Sequence, residues 1–470
     1  MTDEIWRLDA TDVALGIRNR EFSAREATAA CLERLEAVNP ALNAVVEVRA
    51  DAALAAADGA DQALARNQDV GPLHGVPVTI KGCHDLEGWA TVNGCAALKN
   101  NVAAVSSPCV QNWLDAGVVV LGRTNTPEFS CRWETTNDFY GATVNPWNAA
   151  LTPGGSSGGA AASVAAGINP LSTGTDLGGS LRQPAQACGV ASMRPGRGRV
   201  PDWNCTDPAE PGIGFQLMNV NGLIARSVRD LDLGLRAMVR GSWQDPWWAP
   251  APLEPMPTGT HPIALVVDPG GSEMTAQVLD GVEQAGAMLS SAGYGVDIKN
   301  PPDLEEAHDI WKKICLGELA LLLEPAVKDI IGPTLKRAFD CYRTLVPGID
   351  ADMILDALAR RRRVLRNWME FFESYPLIVA PVGTEPPSPR NDDISSPERN
   401  HEIVESFRMT VVVNALGLSA VTVPVGVKDG LPQVVQIIGP PFSEARCLAA
   451  AAAIEAAAGP LTPIDPKQAS

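Results

Sequence analysis

Gly154-Gly155-Ser156-Ser157-Gly158-Gly159 and Gly174-Thr175-Asp176-Leu177-Gly178-Gly179-Ser180-Leu181-Arg182 are the two stretches that decide the fold of this chain. Each stretch places a serine among residues without bulky side chains. Glycine lets the backbone turn sharply, and it lets several N–H groups converge on one point where negative charge develops. We therefore predict that Ser156 and Ser180 lie on two loops of one site.

A lysine upstream of the two loops completes the pattern. The run Gly75-Val76-Pro77-Val78-Thr79-Ile80-Lys81 is typical of a short buried strand that ends in Lys81. A serine hydroxyl is a weak nucleophile until a base takes its proton, and the histidines of the chain show no arrangement that pairs one with Ser180; we interpret His74 as structural. The pattern favours a Ser-Ser-Lys hydrolase. Because the base must be neutral, we expect Lys81 to be buried.

Composition and charge exclude several classes of protein. The chain has 470 residues, of which 46% are hydrophobic and 20% charged, and its formal net charge is −18. These values are typical of a globular protein. The net charge argues against nucleic acid as a partner, because the basic run 360–363 is confined to one predicted helix. No Gly-Lys-Ser/Thr sequence follows the 154–159 loop, which argues against a nucleotide-binding loop.

The cysteines and the N-terminus bear on the compartment and on cofactors. The ten cysteines are scattered singly, without a C-x-x-C pair or a His/Cys cluster at metal-ligand spacing. We therefore predict no metal, no cofactor and no disulfide framework. The acidic start and the lack of a long apolar run favour a cytoplasmic protein that does not span a membrane.

Helix-like and strand-like patterns alternate along most of the chain. Ser23 and Glu26 form a capping box, and we expect the helix that follows to end at Asn39-Pro40. Apolar runs at 117–122, 263–268 and 377–381 are typical of buried strands, whereas 304–375 is almost wholly helical. The alternation predicts an α/β chain with a helical insertion at 304–375.

Both glycine-rich loops closely resemble the signature of the amidase signature family of Ser-cisSer-Lys hydrolases. Further motifs of that family occur in the same order at 73–81, 122–129, 145–147 and 436–441. The resemblance extends over nearly the whole chain. It implies one amidase domain over residues 1–470, with a large mixed, mostly parallel central sheet that is covered by helices on both faces.

The resemblance also implies roles for individual residues. Ser180 would be the nucleophile, Ser156 a bridging serine on a cis peptide bond, and Lys81 the terminal base. The backbone N–H groups of Leu177, Gly178, Gly179 and Ser180 would form the oxyanion hole. Asp176 and Arg182 would brace the loop as an ion pair.

The expected substrate is a small-molecule amide, which the resemblance leaves linear or cyclic. By position in the family pattern, Ser130, Cys131, Trp133 and Gln183 are expected to contact the substrate. Cys131 and Trp133 would favour an apolar or aromatic acyl group of the arylacetamide or indoleacetamide type, because no arginine or lysine is placed to receive a carboxylate. A homodimer is left open.

Two alternatives from other classes stay open at this point. One is the A-type subunit of a glutamine-dependent aminoacyl-tRNA amidotransferase, which shares the core and often has glutamine at the position of Gln183. The segment 407–424, however, does not resemble the glutamine-binding region of that branch. The other is a catalytically silent binding or scaffold protein, which would be expected to lack Lys81, Ser156 or Ser180.

Overall fold

The computed structural model describes residues 2–207 and 209–467. Its strands are β1 (Val45–Val48), β2 (Pro77–Lys81), β3 (Val119–Thr124), β4 (Thr136–Asn137), β5 (Gly141–Ala142), β6 (Leu171–Thr175), β7 (Ala191–Arg194), β8 (Asn221–Ala225), β9 (Ile263–Leu265), β10 (Val296–Ile298), β11 (Leu377–Pro381), β12 (Ser419–Lys428) and β13 (Leu431–Gly439).

The helices are α1 (Ala10–Arg18), α2 (Ala24–Leu42), α3 (Ala50–Ala65), α4 (Pro108–Asp115), α5 (Gly158–Ala165), α6 (Arg182–Cys188), α7 (Ile213–Met218), α8 (Val228–Met238), α9 (Ala276–Ser291), α10 (Leu304–Trp311), α11 (Glu324–Val327), α12 (Pro333–Leu345), α13 (Ala351–Ser374), α14 (Pro397–Ser406), α15 (Arg408–Leu416) and α16 (Glu444–Ala458). Two π-helical turns, Lys312–Leu316 and Leu319–Leu323, follow α10.

An 11-stranded mixed sheet organises the described residues, in the order β1-β3-β2-β6-β8-β7-β12-β13-β11-β9-β10. The sheet confirms the predicted α/β class and the mixed sheet. The expectation of mostly parallel strands is wrong, because only the β3-β2-β6 and β11-β9-β10 segments pair in parallel. The strands between them, β6 to β11 in sheet order, pair antiparallel. Of these antiparallel neighbours, β12 and β13 are joined by a short hairpin.

Helices cover both faces of the sheet, as predicted. Successive strand residues point to opposite faces, so Leu223 and Ala225 of β8 join a core with α8, α9 and α16, while Ile224 joins a core with α5 and α6. Ile378 and Ala380 of β11 face a third cluster, built largely by the helices after β10. The buried helices α5 and α6 each begin at the end of one glycine-rich loop.

The predicted capping box is present at the start of α2, where the Ser23 side chain accepts from the Glu26 N–H. The predicted end at Asn39-Pro40 is wrong, since α2 contains Pro40 and continues to Leu42. Asn43 ends the helix with a left-handed backbone, φ 50°. The Asn39 side chain accepts from the N–H groups of Ala44 and Val45, which fixes the chain as it leaves the helix.

Between β10 and β11 the chain is helical or π-helical over most of residues 304–374, and it returns to the same sheet. Its interpretation as an insertion in a single domain over 1–470 stays a prediction. None of the helices in the described part of the chain combines the length and apolar character needed to cross a bilayer.

Candidate active site

Lys81 is the last residue of β2, and its side chain is fully buried at 0% exposure. Its Nζ donates to Ser156 Oγ at 2.7 Å and to Thr175 Oγ1 at 2.8 Å. Because β2 and β6 are parallel neighbours, their carboxyl ends meet at one edge of the sheet, and this brings Lys81 to Thr175. Burial lowers the pKa of Lys81, although Asp176 and the nearby thiols oppose the shift. The ammonium is thereby disfavoured and the neutral amine becomes accessible.

Ser156 lies on the loop that leads into α5, and it too has 0% exposure. The Gly155–Ser156 peptide bond is cis, as expected. Gly155 has no room for a side chain, because a Cβ would lie 2.5 Å from the Arg132 carbonyl oxygen. The loop is fixed by Gln183, whose Oε1 accepts from Gly155 N at 2.7 Å. The Ser156 hydroxyl is therefore held against the Lys81 amine.

Ser180 lies on the turn between β6 and α6 and is 7% exposed, so it is more accessible than Ser156. Its carbonyl oxygen accepts from Ser157 N at 3.2 Å, which joins the two glycine-rich loops directly. Its hydroxyl makes no hydrogen bond to any described residue. Such contacts often tighten only when substrate is bound, so Ser180 Oγ is available to Ser156 and to a substrate carbonyl. We call Lys81, Ser156, Thr175 and Ser180 the lysine–serine cluster.

Two buried indoles orient the loop before Ser180. Trp311 Nε1 donates to the Leu177 carbonyl oxygen at 3.2 Å, and Trp133 Nε1 donates to the Gly178 carbonyl oxygen at 2.9 Å. In a trans peptide unit the C=O and the following N–H point in opposite directions. The Gly178 N–H is therefore directed away from Trp311, and the Gly179 N–H away from Trp133.

The predicted set of four oxyanion donors needs one correction. The Gly179 N–H donates to Asp176 Oδ1 at 2.9 Å and is thus already engaged. The N–H groups of Leu177, Gly178 and Ser180 have no partner among the described residues. The Asp176 carboxylate caps the turn by accepting from the Gly179 N–H. The other three N–H groups are therefore available to bind an oxyanion.

Asp176 is the centre of a fully buried ion-pair network. Arg182 donates to both carboxylate oxygens at 3.0 Å, and Arg194 Nε lies 3.6 Å from Oδ1. Asn414 Nδ2 adds a bond of 2.7 Å to Oδ1. Burial alone would raise the pKa of Asp176, but Arg182 and Arg194 outweigh it and hold that pKa well below its usual range. Asp176 and Arg182 therefore pair as expected and brace the loop.

The four predicted substrate contacts separate into two pairs. Trp133 and Gln183 line a cavity close to the lysine–serine cluster, whereas Ser130 and Cys131 are absent from its lining. Ser130 Oγ lies 3.2 Å from Thr126 Oγ1, and Cys131 Sγ donates to the Phe129 carbonyl oxygen. Burial raises the pKa of Cys131 to about 12, so its thiol is a poor nucleophile.

We call this space the side cavity. It is lined by Trp133, Glu134, Thr152, Gln183, Gln186, Ala187, Glu385, Pro386, Pro387, Ser388, Asp393, Ile403 and Phe407. The sequence did not reveal Glu134 as a residue of this cavity. It also did not reveal the contact of Thr175 with Lys81 or that of Trp311 with the Leu177 carbonyl oxygen. Thr175 could have been found, since it ends the strand parallel to that of Lys81. Trp311 carried no local signal.

His74 lies outside the lysine–serine cluster. Its Nε2 is 3.0 Å from the Ala60 carbonyl oxygen, on the helix α3. Its ring also packs against Gly117, where a Cβ would lie 2.9 Å from the His74 Cα. These contacts agree with the structural role expected for His74.

Comparisons with known proteins address the reaction class. The amidase family model matches residues 26–448. The chain is 40% identical over 460 residues to an indoleacetamide hydrolase of Bradyrhizobium diazoefficiens, covering 97% of this chain and 88% of that one. It is 32% identical over 481 residues to the A-type subunit of the glutamyl-tRNA(Gln) amidotransferase of Moorella thermoacetica, covering 96% and 97%. A solved bacterial aryl acylamidase of the amidase signature family superimposes with a TM-score of 0.83 at 27% identity, covering 97% and 96%.

Proposed function

Because this chain belongs to the amidase family and is a hydrolase of carbon–nitrogen amide bonds, we propose that it cleaves small arylacetamides, with indole-3-acetamide as the preferred substrate. We further propose that the reaction proceeds through an acyl-enzyme on Ser180, with Ser156 and Lys81 as the proton relay. The observation that carries this proposal is the 2.7 Å contact between the buried Lys81 Nζ and Ser156 Oγ, on a loop joined to Ser180.

In the first half of the reaction, neutral Lys81 takes the proton of Ser156 as Ser156 takes that of Ser180. Ser180 Oγ then bonds to the amide carbon, and the carbonyl oxygen becomes an oxyanion. The N–H groups of Leu177, Gly178 and Ser180 are its donors, and one such donor is typically worth about 2.7–4 kcal/mol. The relay returns the proton to the nitrogen, the C–N bond breaks, and ammonia leaves.

In the second half, a water molecule takes the place of the amine. It loses its proton to the same relay and bonds to the acyl carbon. The bond to Ser180 Oγ then breaks, and Ser180 recovers its proton. The product is an arylacetate, and Lys81 is again neutral for the next cycle.

Two observations support an aromatic acyl group. The side cavity is bounded by Trp133, Phe407 and Ile403, and the rings of Trp133 and Phe407 lie 5.9 Å apart between centroids. The similarity to an indoleacetamide hydrolase is higher than that to an amidotransferase component. Glutamine would be the amide donor if this chain were an amidotransferase subunit, so it is the substrate to compare with the arylacetamides.

The test combines turnover with covalent labelling. Ammonia release is expected from indole-3-acetamide and phenylacetamide, with little from glutamine. A fluorophosphonate should add once per chain, and peptide mapping should locate it on Ser180. Ser180→Ala should form no adduct, while Ser156→Ala should react slowly because the nucleophile remains.

Cys131→Ala is the matched control, since it removes the nearby thiol and should label like the wild type. Labelling that persists in Ser180→Ala and disappears in Cys131→Ala would contradict the assignment of Ser180. Glutamine turnover above that of both arylacetamides would favour the amidotransferase function instead.

A further inference from the structure

The side cavity contains three carboxyl groups, and two of them are paired. Asp393 accepts from Arg132 Nε and Nη2 at 3.0 and 2.6 Å. Glu385 accepts from Arg399 Nη2 with both oxygens at 2.9 Å. Both carboxylates are thus occupied by a guanidinium. The third, Glu134, has no arginine or lysine bonded to it among the described residues.

Glu134 is a buried group with an unused acceptor. The residue is 2% exposed, and its Oε1 has no hydrogen-bond partner among the described residues. Its Oε2 lies 3.5 Å from Asn391 N, at the limit of a hydrogen bond. Burial, with the negative charge of Asp393, raises the pKa of Glu134 to about 7, while a hydrogen bond from the Thr152 side chain and the charges of Arg132 and Arg390 oppose the shift. A buried polar atom without a partner is destabilising unless a ligand satisfies it.

The polar neighbours of Glu134 in the cavity already have partners. Gln183 Oε1 accepts from Gly155 N, and Thr152 Oγ1 accepts from Gly154 N at 3.0 Å. Gln186 Nε2 donates to the Glu385 carbonyl oxygen at 3.2 Å. The Thr152 side chain also hydrogen-bonds to Glu134. A carboxylate oxygen can accept more than one hydrogen bond, so Glu134 still offers a buried acceptor to a ligand.

Glu134 also lies next to the lysine–serine cluster. A Cβ built on Gly155 would lie 2.6 Å from Glu134 N, so the backbones of the two residues are in direct contact. Gly155 immediately precedes Ser156. A ligand group that reaches Glu134 is thus close to the loop that carries the relay.

We propose that Glu134 Oε1 accepts the ring N–H of an indole substrate, and that it selects indolylacetamides over arylacetamides without a ring N–H. This rests on the function proposed above. The indole N–H is a donor without acceptor capacity, so it matches an acceptor oxygen. A carboxyl group keeps an acceptor oxygen whether or not it is protonated. The aromatic walls of Trp133 and Phe407 would hold the ring, and Glu134 would set its orientation.

The experiment compares two substrates of nearly equal shape. Indole-3-acetamide has the ring N–H, and 1-benzothiophene-3-acetamide has sulfur in its place. For the wild type we expect kcat/KM to favour the indole by about 10–100-fold, the range of a buried hydrogen bond to a charged or polarised group. In Glu134→Met, which removes the acceptor at similar volume, the ratio should fall to near one through loss of the indole rate alone.

Two further variants complete the test. Glu134→Gln keeps an acceptor oxygen and should retain most of the preference, so loss in Glu134→Met together with retention in Glu134→Gln identifies the acceptor oxygen as the cause. Glu385→Gln changes a carboxyl of the same cavity that is paired with Arg399, and it should leave the ratio unchanged. If Glu134→Met does not fold, the wild-type ratio still tests the proposal, because a value near one overturns it.

Two outcomes would overturn the proposal. A wild-type ratio near one means that the ring N–H is not recognised. An unchanged ratio in Glu134→Met means that another group recognises it. If the proposed function is wrong, the wild type hydrolyses neither substrate although fluorophosphonate still labels it. This result differs from both outcomes above.

Discussion

The lysine–serine cluster and the side cavity are connected through Gln183, which lines the cavity and accepts from Gly155 N, but they differ in how their polar groups are satisfied. In the cluster, Lys81 Nζ has two hydroxyl partners, and the neighbouring Asp176 is bonded to Arg182, Asn414 and the turn after it. In the cavity, Glu134 Oε1 has no partner among the described residues. The contacts of Lys81 and Asp176 fix these groups in place for proton transfer, while the Ser180 hydroxyl has no hydrogen bond to a described residue. An unsatisfied buried acceptor, in contrast, marks a place that a ligand can complete.

The two regions also differ in their origin along the chain. The cluster comes from β2 and from the two glycine-rich loops, all within 81–182. The cavity combines residues near 133 and 183 with a segment that begins beyond residue 384. The cluster therefore depends on local motifs, while the cavity depends on long-range packing.

The largest effect is expected from the cluster. Lys81→Ala removes the base of the relay, and we expect kcat/KM to fall on the order of 10³-fold or more, because general-base catalysis contributes about 10²–10⁴-fold and relay members act as a unit. The variant should remain folded, as judged by circular dichroism. His74→Ala, a histidine outside the cluster, should keep most of its activity. Near wild-type turnover in Lys81→Ala would remove the relay from the mechanism.

Trp311 tests whether a residue distant in sequence contributes to the reaction, because it comes from α10 yet donates to the loop before Ser180. Trp311→Phe keeps the apolar ring but loses the N–H that holds the Leu177 carbonyl. We expect kcat to fall about tenfold with KM nearly constant, less than the loss of a direct oxyanion donor, since the effect is transmitted through one peptide unit.

Trp368→Phe is the matched control for that measurement. Its indole is also buried and donates to a backbone carbonyl, that of Pro302 at 2.7 Å, but it lies in the helical segment away from the loop. This variant should leave kcat unchanged. Equal losses of kcat in the two variants would mean that tryptophan packing, and not loop orientation, accounts for the result.

The smallest effect concerns stability and pH. The pKa of Glu134 is raised to about 7 by burial, against about 4.3 for an unfolded glutamate. Between these values the unfolded chain ionises at Glu134 while the folded chain keeps the proton. The contribution of this group to stability is therefore present below about pH 4 and is lost as the pH rises towards 7.

Glu134→Gln cannot ionise and should escape that loss. The melting temperature of the variant minus that of the wild type should be larger at pH 8 than at pH 5, by about 2 °C or more. Glu283→Gln, on the exposed surface of α9, should show no such pH-dependent difference. An equal offset at both pH values would argue that the Glu134 carboxyl is not perturbed in the folded protein.

Much of the fold and of the cluster could be predicted from the sequence. The glycine-rich loops, the strand that ends in Lys81 and the capping box at Ser23 are local patterns, and each depends on residues only a few positions apart. The further motifs that resemble those of the family occur in the same order along the chain, and this order supported the predicted fold. The sheet was recognised as mixed, but its largely antiparallel centre was not, because strand direction depends on how distant segments return to the sheet.

The sequence by itself determined the reaction class, since the residue types that carry the chemistry lie in short, regular motifs whose backbone conformation follows from glycine. Only the tertiary structure decided which N–H groups remain for the oxyanion, because Asp176 takes that of Gly179 while Trp133 and Trp311 turn the neighbouring peptide units. The pairing of Asp393 with Arg132 was likewise decided by side chains far apart along the chain, and the lack of a partner for Glu134 Oε1 among the described residues follows from the tertiary structure as well. A hydrogen bond depends on distance and angle in space, and separation in sequence does not fix either one.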